Sequence, residues 1–146
     1  MAFDGVADEN KGIVSVIERW NSDGIKPSDI AVFAYETRHV DDIADALRDA
    51  GVDNAVVGAD TREEKLGDVV RVMTMHRAKG LEFRGVILAR TGATEFPPKY
   101  VTRLKGEARE REMKKLRSVL YVAGSRARER MTVTCAGSPS EMLENA

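Results

Sequence analysis

One ten-residue stretch concentrates most of the chemistry this chain can offer: Thr74-Met75-His76-Arg77-Ala78-Lys79-Gly80-Leu81-Glu82-Phe83. It sets a hydroxyl, an imidazole, an ammonium, a glycine and a carboxylate within nine positions. Thr74 and His76 can donate to phosphodiester oxygens. Gly80 lets backbone amides approach a phosphate or sugar closely. Glu82 can accept hydrogen bonds from a ribose hydroxyl. Read alone, the stretch serves equally as a polar connection whose Lys79 and Glu82 face water. A second stretch, Arg117 to Arg130, ends in Gly124-Ser125-Arg126-Ala127-Arg128-Glu129-Arg130. An arginine at position 126 offers a planar fork to phosphate oxygens, which lysine cannot match. The bland alternative is a set of solvated cations favoured near a helix C-terminus.

Those residues need elements to hold them. Ile13, Val14, Val16, Ile17 and Trp20 fall on one helical face, which predicts a helix over Glu9–Asn21. Asp29–Tyr35 is a short apolar run that suits a buried strand, and Val40–Ala50 reads as a helix capped by Gly51. Asn54–Val57, Val69–Thr74, Arg84–Ala89 and Met131–Cys135 read as strands, and Ala59–Gly67 as a charged loop. Gly92, Pro97 and Pro98 make Thr91–Lys105 a long connection before a helix over Gly106–Ala123, and Ser138–Glu141 could open a short terminal helix. Strands alternating with helices predict an α/β fold: a parallel sheet of about five strands with helices on both faces. Ligands in such folds sit beyond the carboxyl ends of the strands, which singles out the residues after Thr74, Leu88 and Thr134.

Composition excludes several classes. The chain has 146 residues, enough for one core without a metal or disulfide staple, and its single Cys135 cannot form an internal disulfide. A reducing, cytoplasmic setting is the expectation. No apolar run approaches the length of a membrane span, and Met1–Asn10 lacks the apolar segment of a signal peptide. One cysteine and two histidines, His39 and His76, give no zinc spacing, so no metal ligand is expected. The net charge of −1 hides a split. Residues 1–68 hold 7 Lys/Arg against 16 Asp/Glu, whereas residues 69–146 hold 16 against 8. Such an asymmetry points to one acidic and one basic face, the latter able to meet phosphate.

The motifs together resemble a known family. Thr74-x-His76-x-x-Lys79-Gly-Leu-Glu-Phe83 is similar to motif V of superfamily 1 helicases of the UvrD/Rep/PcrA type. Leu120-Tyr-Val-Ala-x-Ser-Arg126-Ala-Arg-Glu129 is similar to their motif VI. Glu95-Phe96-Pro97 resembles the element between those motifs, and Asp29–Tyr35 with Ala46-Leu47 resembles motif IV. The order and spacing fit from about Ile25 to Val133. The resemblance implies a RecA-like domain over 25–146, preceded by an N-terminal helical region over 1–24 whose origin the sequence leaves open. It implies that Arg126 is the motif VI arginine, reaching the ATP γ-phosphate across a cleft and neutralising charge on the transferred phosphoryl group. It implies that Gly80 and Glu82 contact nucleotide, that Lys79 serves either ligand, and that Thr74 and His76 bind single-stranded DNA. Tyr121 is expected to pack within the domain.

Departures from the pattern matter as much. Tyr35 stands where the motif IV resemblance implies a γ-phosphate-contacting arginine, Ser125 replaces threonine, and Leu116 and Ser118 replace an acid and a base. About 18 residues separate Gly51 from Val69, leaving no room for the accessory domain that many family members insert there. No glycine precedes a lysine, so the chain lacks a phosphate-binding loop. Asp8-Glu9 looks superficially like a Mg²⁺-binding pair, but no apolar strand precedes it. The expectation is therefore the second RecA-like domain of an ATP-dependent DNA helicase or translocase, inactive alone. ATP and Mg²⁺ would bind in the whole protein, the Mg²⁺ on a separate N-terminal RecA-like domain of the same protein. Single-stranded DNA would be the other partner, and no membrane is implied. The competing reading is a degenerate, non-hydrolysing module that binds DNA or protein.

Overall fold

A computed structural model describes residues 1–143, the side chain of Glu63 aside. In chain order its elements are β1 (Ala2–Phe3), α1 (Val6–Ser22), β2 (Ile30–Ala34), α2 (Thr37–Asp49), β3 (Asn54–Val56), β4 (Val70–Thr74), β5 (Phe83–Leu88), α3 (Lys99–Thr102), α4 (Gly106–Gly124), β6 (Ala127–Val133) and β7 (Cys135–Ala136). Single 3₁₀ turns punctuate the connections, among them Met75–Arg77 and Glu141–Leu143. The predicted terminal helix is thus one 3₁₀ turn as far as Leu143.

Strand alternation explains the layers. Ala31 and Phe33 of β2 fall on one side of the sheet, and Ile30, Val32 and Ala34 on the other, all buried. A strand buried on both faces must be central, and β2 lies mid-sheet in the order β3-β4-β2-β5-β6. All four pairings are parallel, as an alternating strand–helix sequence requires. On one face Ile13, Ile17 and Trp20 of α1 and Val40, Ile43 and Leu47 of α2 pack against Val72 and Ile87. On the other, Met113, Leu116, Leu120 and Ala123 of α4 pack against Phe33, Met73, Val86 and Leu88. The helical region over 1–24 therefore shares its core with the sheet.

Local signals set the boundaries. α2 ends where Gly51 takes φ +82°, with Val52 N–H donating to Leu47 O at 2.8 Å and Gly51 N–H to Arg48 O at 3.0 Å. This paired closure satisfies the last carbonyls and needs a residue at ease in the left-handed region. Two elements differ from the sequence reading. β1 was not expected, because two residues carry no periodicity; it pairs parallel with β7, and Cys135 N–H donates to Met1 O at 3.1 Å. β6 begins at Ala127 rather than Met131, because it is an edge strand whose Arg128, Glu129 and Arg130 face solvent and hide the apolar signal. Glu129 pairs with Arg84 at 3.0 Å and Arg130 with Asp23 at 2.5 Å, tying this edge to its neighbours.

A buried polar knot closes the carboxyl end of the sheet. Arg90, in the left-handed region at φ 58°, donates from its backbone N–H and from Nη1 to Glu9 at 2.9 and 2.8 Å. Its Nη2 donates to Asn10 Oδ1 at 2.7 Å, and Thr134 Oγ1 donates to Glu9 Oε2 at 2.7 Å. Glu9 is thus an internal anchor between α1 and the ends of β5 and β6, which explains an acid where a metal-binding pair could be suspected. Burial also pushes the Cys135 thiol up, which suits an inert structural cysteine. Among the described residues no helix is long and apolar enough to cross a membrane.

Candidate nucleotide and nucleic-acid faces

The sheet's direction sorts the candidate residues into two groups. Thr74 is the last residue of β4, and His76 lies in the turn that follows, so both sit at the carboxyl end. Gly80 and Glu82 immediately precede β5, and Arg126 immediately precedes β6. β5 and β6 run parallel with Phe83 opposite Ala127, and Phe83 N–H donates to Arg126 O at 2.9 Å. Gly80, Glu82 and Arg126 are therefore gathered at the amino end. The length of a six-residue strand, roughly 20 Å at about 3.3 Å per residue, separates the two groups along the sheet. Of the candidate residues, Thr74 and His76 alone lie at the carboxyl ends that the sequence reading singled out. The motif V connection, eight residues from β4 to β5, carries the chain from one end to the other across the α4 face, where Met75 and Ala78 are buried.

At the amino end, Lys79, Gly80 and Glu82 are exposed while Leu81 packs on the core. Gly80 has φ +81°, and a Cβ there would meet nothing within 4 Å. The position demands glycine for its backbone turn, with open space beside it. Arg126 follows the Gly124 end of α4, its N–H donating to Ala123 O at 3.2 Å. Its Nε is buried and has no hydrogen-bond partner among the described residues. A buried donor without an acceptor is costly, and none of the described residues supplies one here. That donor, the exposed Gly80 turn and the exposed Glu82 carboxylate lie at the same end of the sheet. Among the described residues no group of three or more His, Cys, Asp or Glu side chains comes together to hold a metal ion.

At the carboxyl end, Tyr35 follows β2 and packs on His76, with ring centroids 4.8 Å apart, and on Phe96 at 5.6 Å. Its hydroxyl lies 3.3 Å from that of Tyr100, and burial pushes its ionisation up. A groove of about 610 Å³ opens here, lined by Tyr35, His76 and the α4 residues Arg111, Lys114, Lys115 and Ser118. Sequence reasoning missed this juxtaposition, because α4 meets the end of β4 only in the fold.

Tyr35 follows the carboxyl end of β2, whereas Arg126 precedes β6 at the amino end. One expectation is corrected. Tyr121 is 75% exposed rather than packed within the domain. It faces outward because Leu120 and Ala123 take the core side of α4.

The profile of the UvrD-like helicase C-terminal domain matches residues 54–138, more than half of the chain and both candidate ends. The chain belongs to the UvrD-like helicase C-terminal domain family. Within it, the chain is 39% identical over 80 residues to the ATP-dependent DNA helicase PcrA of Staphylococcus aureus, covering 55% of this chain and 10% of that protein. It is 30% identical over 107 residues to YjcD of Bacillus subtilis, a candidate ATP-dependent DNA helicase, covering 73% of this chain and 13% of that protein. This UvrD-like domain thus spans only a small fraction of the relatives it matches. The C-terminal domain of a candidate DNA helicase from Lactobacillus plantarum superposes with TM-score 0.74 at 20% identity, over 97% of this chain and 75% of that one. That likeness carries the RecA-like fold: a five-stranded parallel sheet between helical layers.

Proposed function

We propose that this UvrD-like domain is the second motor domain of an ATP-dependent DNA helicase or translocase, with its nucleotide face at the amino end of the sheet and its DNA face at the carboxyl end. The observation that carries the reading is the orphaned Nε of Arg126, held next to Gly80 and Glu82 at one end of a short connection that has Thr74 and His76 at the other. In the whole protein, ATP would lie between this face and a separate N-terminal RecA-like domain of the same protein, which would hold Mg²⁺. Bound there, the nucleotide supplies the phosphoryl group whose transfer drives movement.

The chain's own residues then divide the work. Arg126 presents a permanently charged fork, with no partner at Nε among the described residues, where charge develops on phosphoryl oxygens. Glu82 accepts from sugar hydroxyls, and Lys79 serves either ligand. Thr74 and His76 donate to the backbone of single-stranded DNA. Met75 and Ala78 are buried under α4, so a displacement at Gly80–Glu82 is transmitted through packed atoms to His76. Tyr35, standing where the resemblance implies an arginine, is the departure that favours a degenerate, non-hydrolysing module as the second reading. A cytoplasmic location goes with this function.

The test uses the full-length parent protein. Arg126→Ala is expected to lower the DNA-stimulated ATPase kcat by about 10³-fold or more and to leave nucleotide-free single-stranded DNA affinity within about twofold. His76→Ala is expected to do the reverse, raising the DNA concentration needed for half-stimulation. If Arg126→Ala turns over ATP at the wild-type rate, the assignment is wrong.

A further inference from the structure

The groove beside His76 has a second wall that motif V does not contain. Arg111, Lys114 and Lys115 of α4 line it together with Tyr35 and His76. Lys115 is 72% exposed at its side chain. The groove also holds one acid, Glu112, which pairs with Lys115 at 3.3 Å and accepts from the Tyr100 hydroxyl at 3.3 Å. With Lys115 and Glu112 engaged with each other, Arg111, Lys114 and the His76 imidazole leave the groove an attractor of anions. Its floor is aromatic: His76 is exposed and is backed by the ring of Tyr35, itself wedged on Phe96. Cations at the rim and a rigidly backed ring at the floor are what a single strand requires, phosphates outward and a base stacked inward.

We propose that Arg111, Lys114 and Lys115 of α4, with the Tyr35–His76 ring pair, form a phosphate-and-base track that continues the single-stranded DNA path beyond Thr74. This rests on the reading of the carboxyl end as the DNA face, and adds residues from a different element. It also couples the strand to α4, the helix whose far end delivers Arg126. Tyr35 and Tyr100 act as positioning residues, fixing the ring stack and Glu112 respectively.

The experiment measures binding of a labelled oligothymidylate of about 16 nucleotides to the 146-residue chain across a salt series. Lys114→Glu with Lys115→Glu is expected to weaken binding about tenfold or more at about 50 mM salt, and to flatten the log–log salt slope by about 1.4, two phosphate contacts' worth. Lys114→Arg with Lys115→Arg should keep the wild-type slope. Lys11→Glu with Lys26→Glu carries the same charge change away from α4, and should reduce affinity far less. Circular dichroism checks that each variant keeps its helices. If the α4 charge reversal binds as wild type while His76→Ala is weakened, the track is refuted and the DNA face stands. Equal losses in both double charge reversals would reduce the effect to bulk charge and overturn the track. If the full-length wild-type protein does not bind at low salt, both readings fall.

Discussion

Glu9 is the most consequential single residue that no motif announces. It is fully buried and accepts from the backbone and guanidinium of Arg90 and from Thr134. Removing one partner of a buried pair leaves the other charge uncompensated, at a cost of about 3–5 kcal/mol. Glu9→Ala is therefore expected to lower unfolding stability by that amount in urea titration, whereas an apolar pair at Glu9 and Arg90 should cost far less. Glu95 sits near the same knot, its Oε2 buried and without a hydrogen-bond partner among the described residues. Burial first, and the neighbouring Glu9 charge second, push its carboxyl above the ordinary glutamate range. A raised acid is more readily protonated in the fold, so its stabilising share is present at low pH and lost as pH rises through the folded value. Glu95→Gln should accordingly raise the urea midpoint at pH 7, with the gain shrinking below the ordinary glutamate range. A gain that persisted unchanged at low pH would sink this account.

At the scale of elements, the fit of α1 onto the sheet is governed by a missing side chain. A Cβ at Gly85 of β5 would lie 2.6 Å from the Trp20 ring. Gly85→Ala must move that ring or the helix, and overpacking of this kind costs about 1–3 kcal/mol. Trp20 is the chain's one tryptophan and is 5% exposed, so its emission should shift to the red in the variant. An unshifted spectrum with wild-type stability would mean that α1 docks more loosely than it does here. The sequence spelled out the long elements well: α1, α2, β2, β4, β5 and α4 announce themselves by apolar period, because each buries a continuous face. It concealed β1, too short to have a period, and the first half of β6, whose edge position exchanges apolar residues for Arg128, Glu129 and Arg130.

For the whole molecule, the decisive property is that the two candidate ligand faces lie at opposite ends of one sheet, joined by a connection buried under α4. The chain carries Arg126, proposed above to meet a phosphate, but no glycine-lysine loop to hold one. The 146-residue chain alone is therefore expected to give no steady-state ATP turnover above buffer in a phosphate-release assay. Turnover that disappeared on Arg126→Ala would contradict the division of labour between two domains.

The residue types and their spacing determined on their own that motifs V and VI are present, that the fold alternates strand and helix, and that Arg126, Gly80, Glu82, Thr74 and His76 are the residues to test. These are local properties, set by covalent order and by which faces must leave water. Only the tertiary structure decided how those residues are grouped. Parallel pairing of β5 with β6 put Arg126 beside Glu82 and Phe83, far from Tyr35. The packing of α4 across the sheet brought Lys114 and Lys115 to His76 and turned Tyr121 outward. Strand direction and helix rotation are fixed by long-range hydrogen bonding and core packing between segments remote in sequence, and no local pattern encodes them.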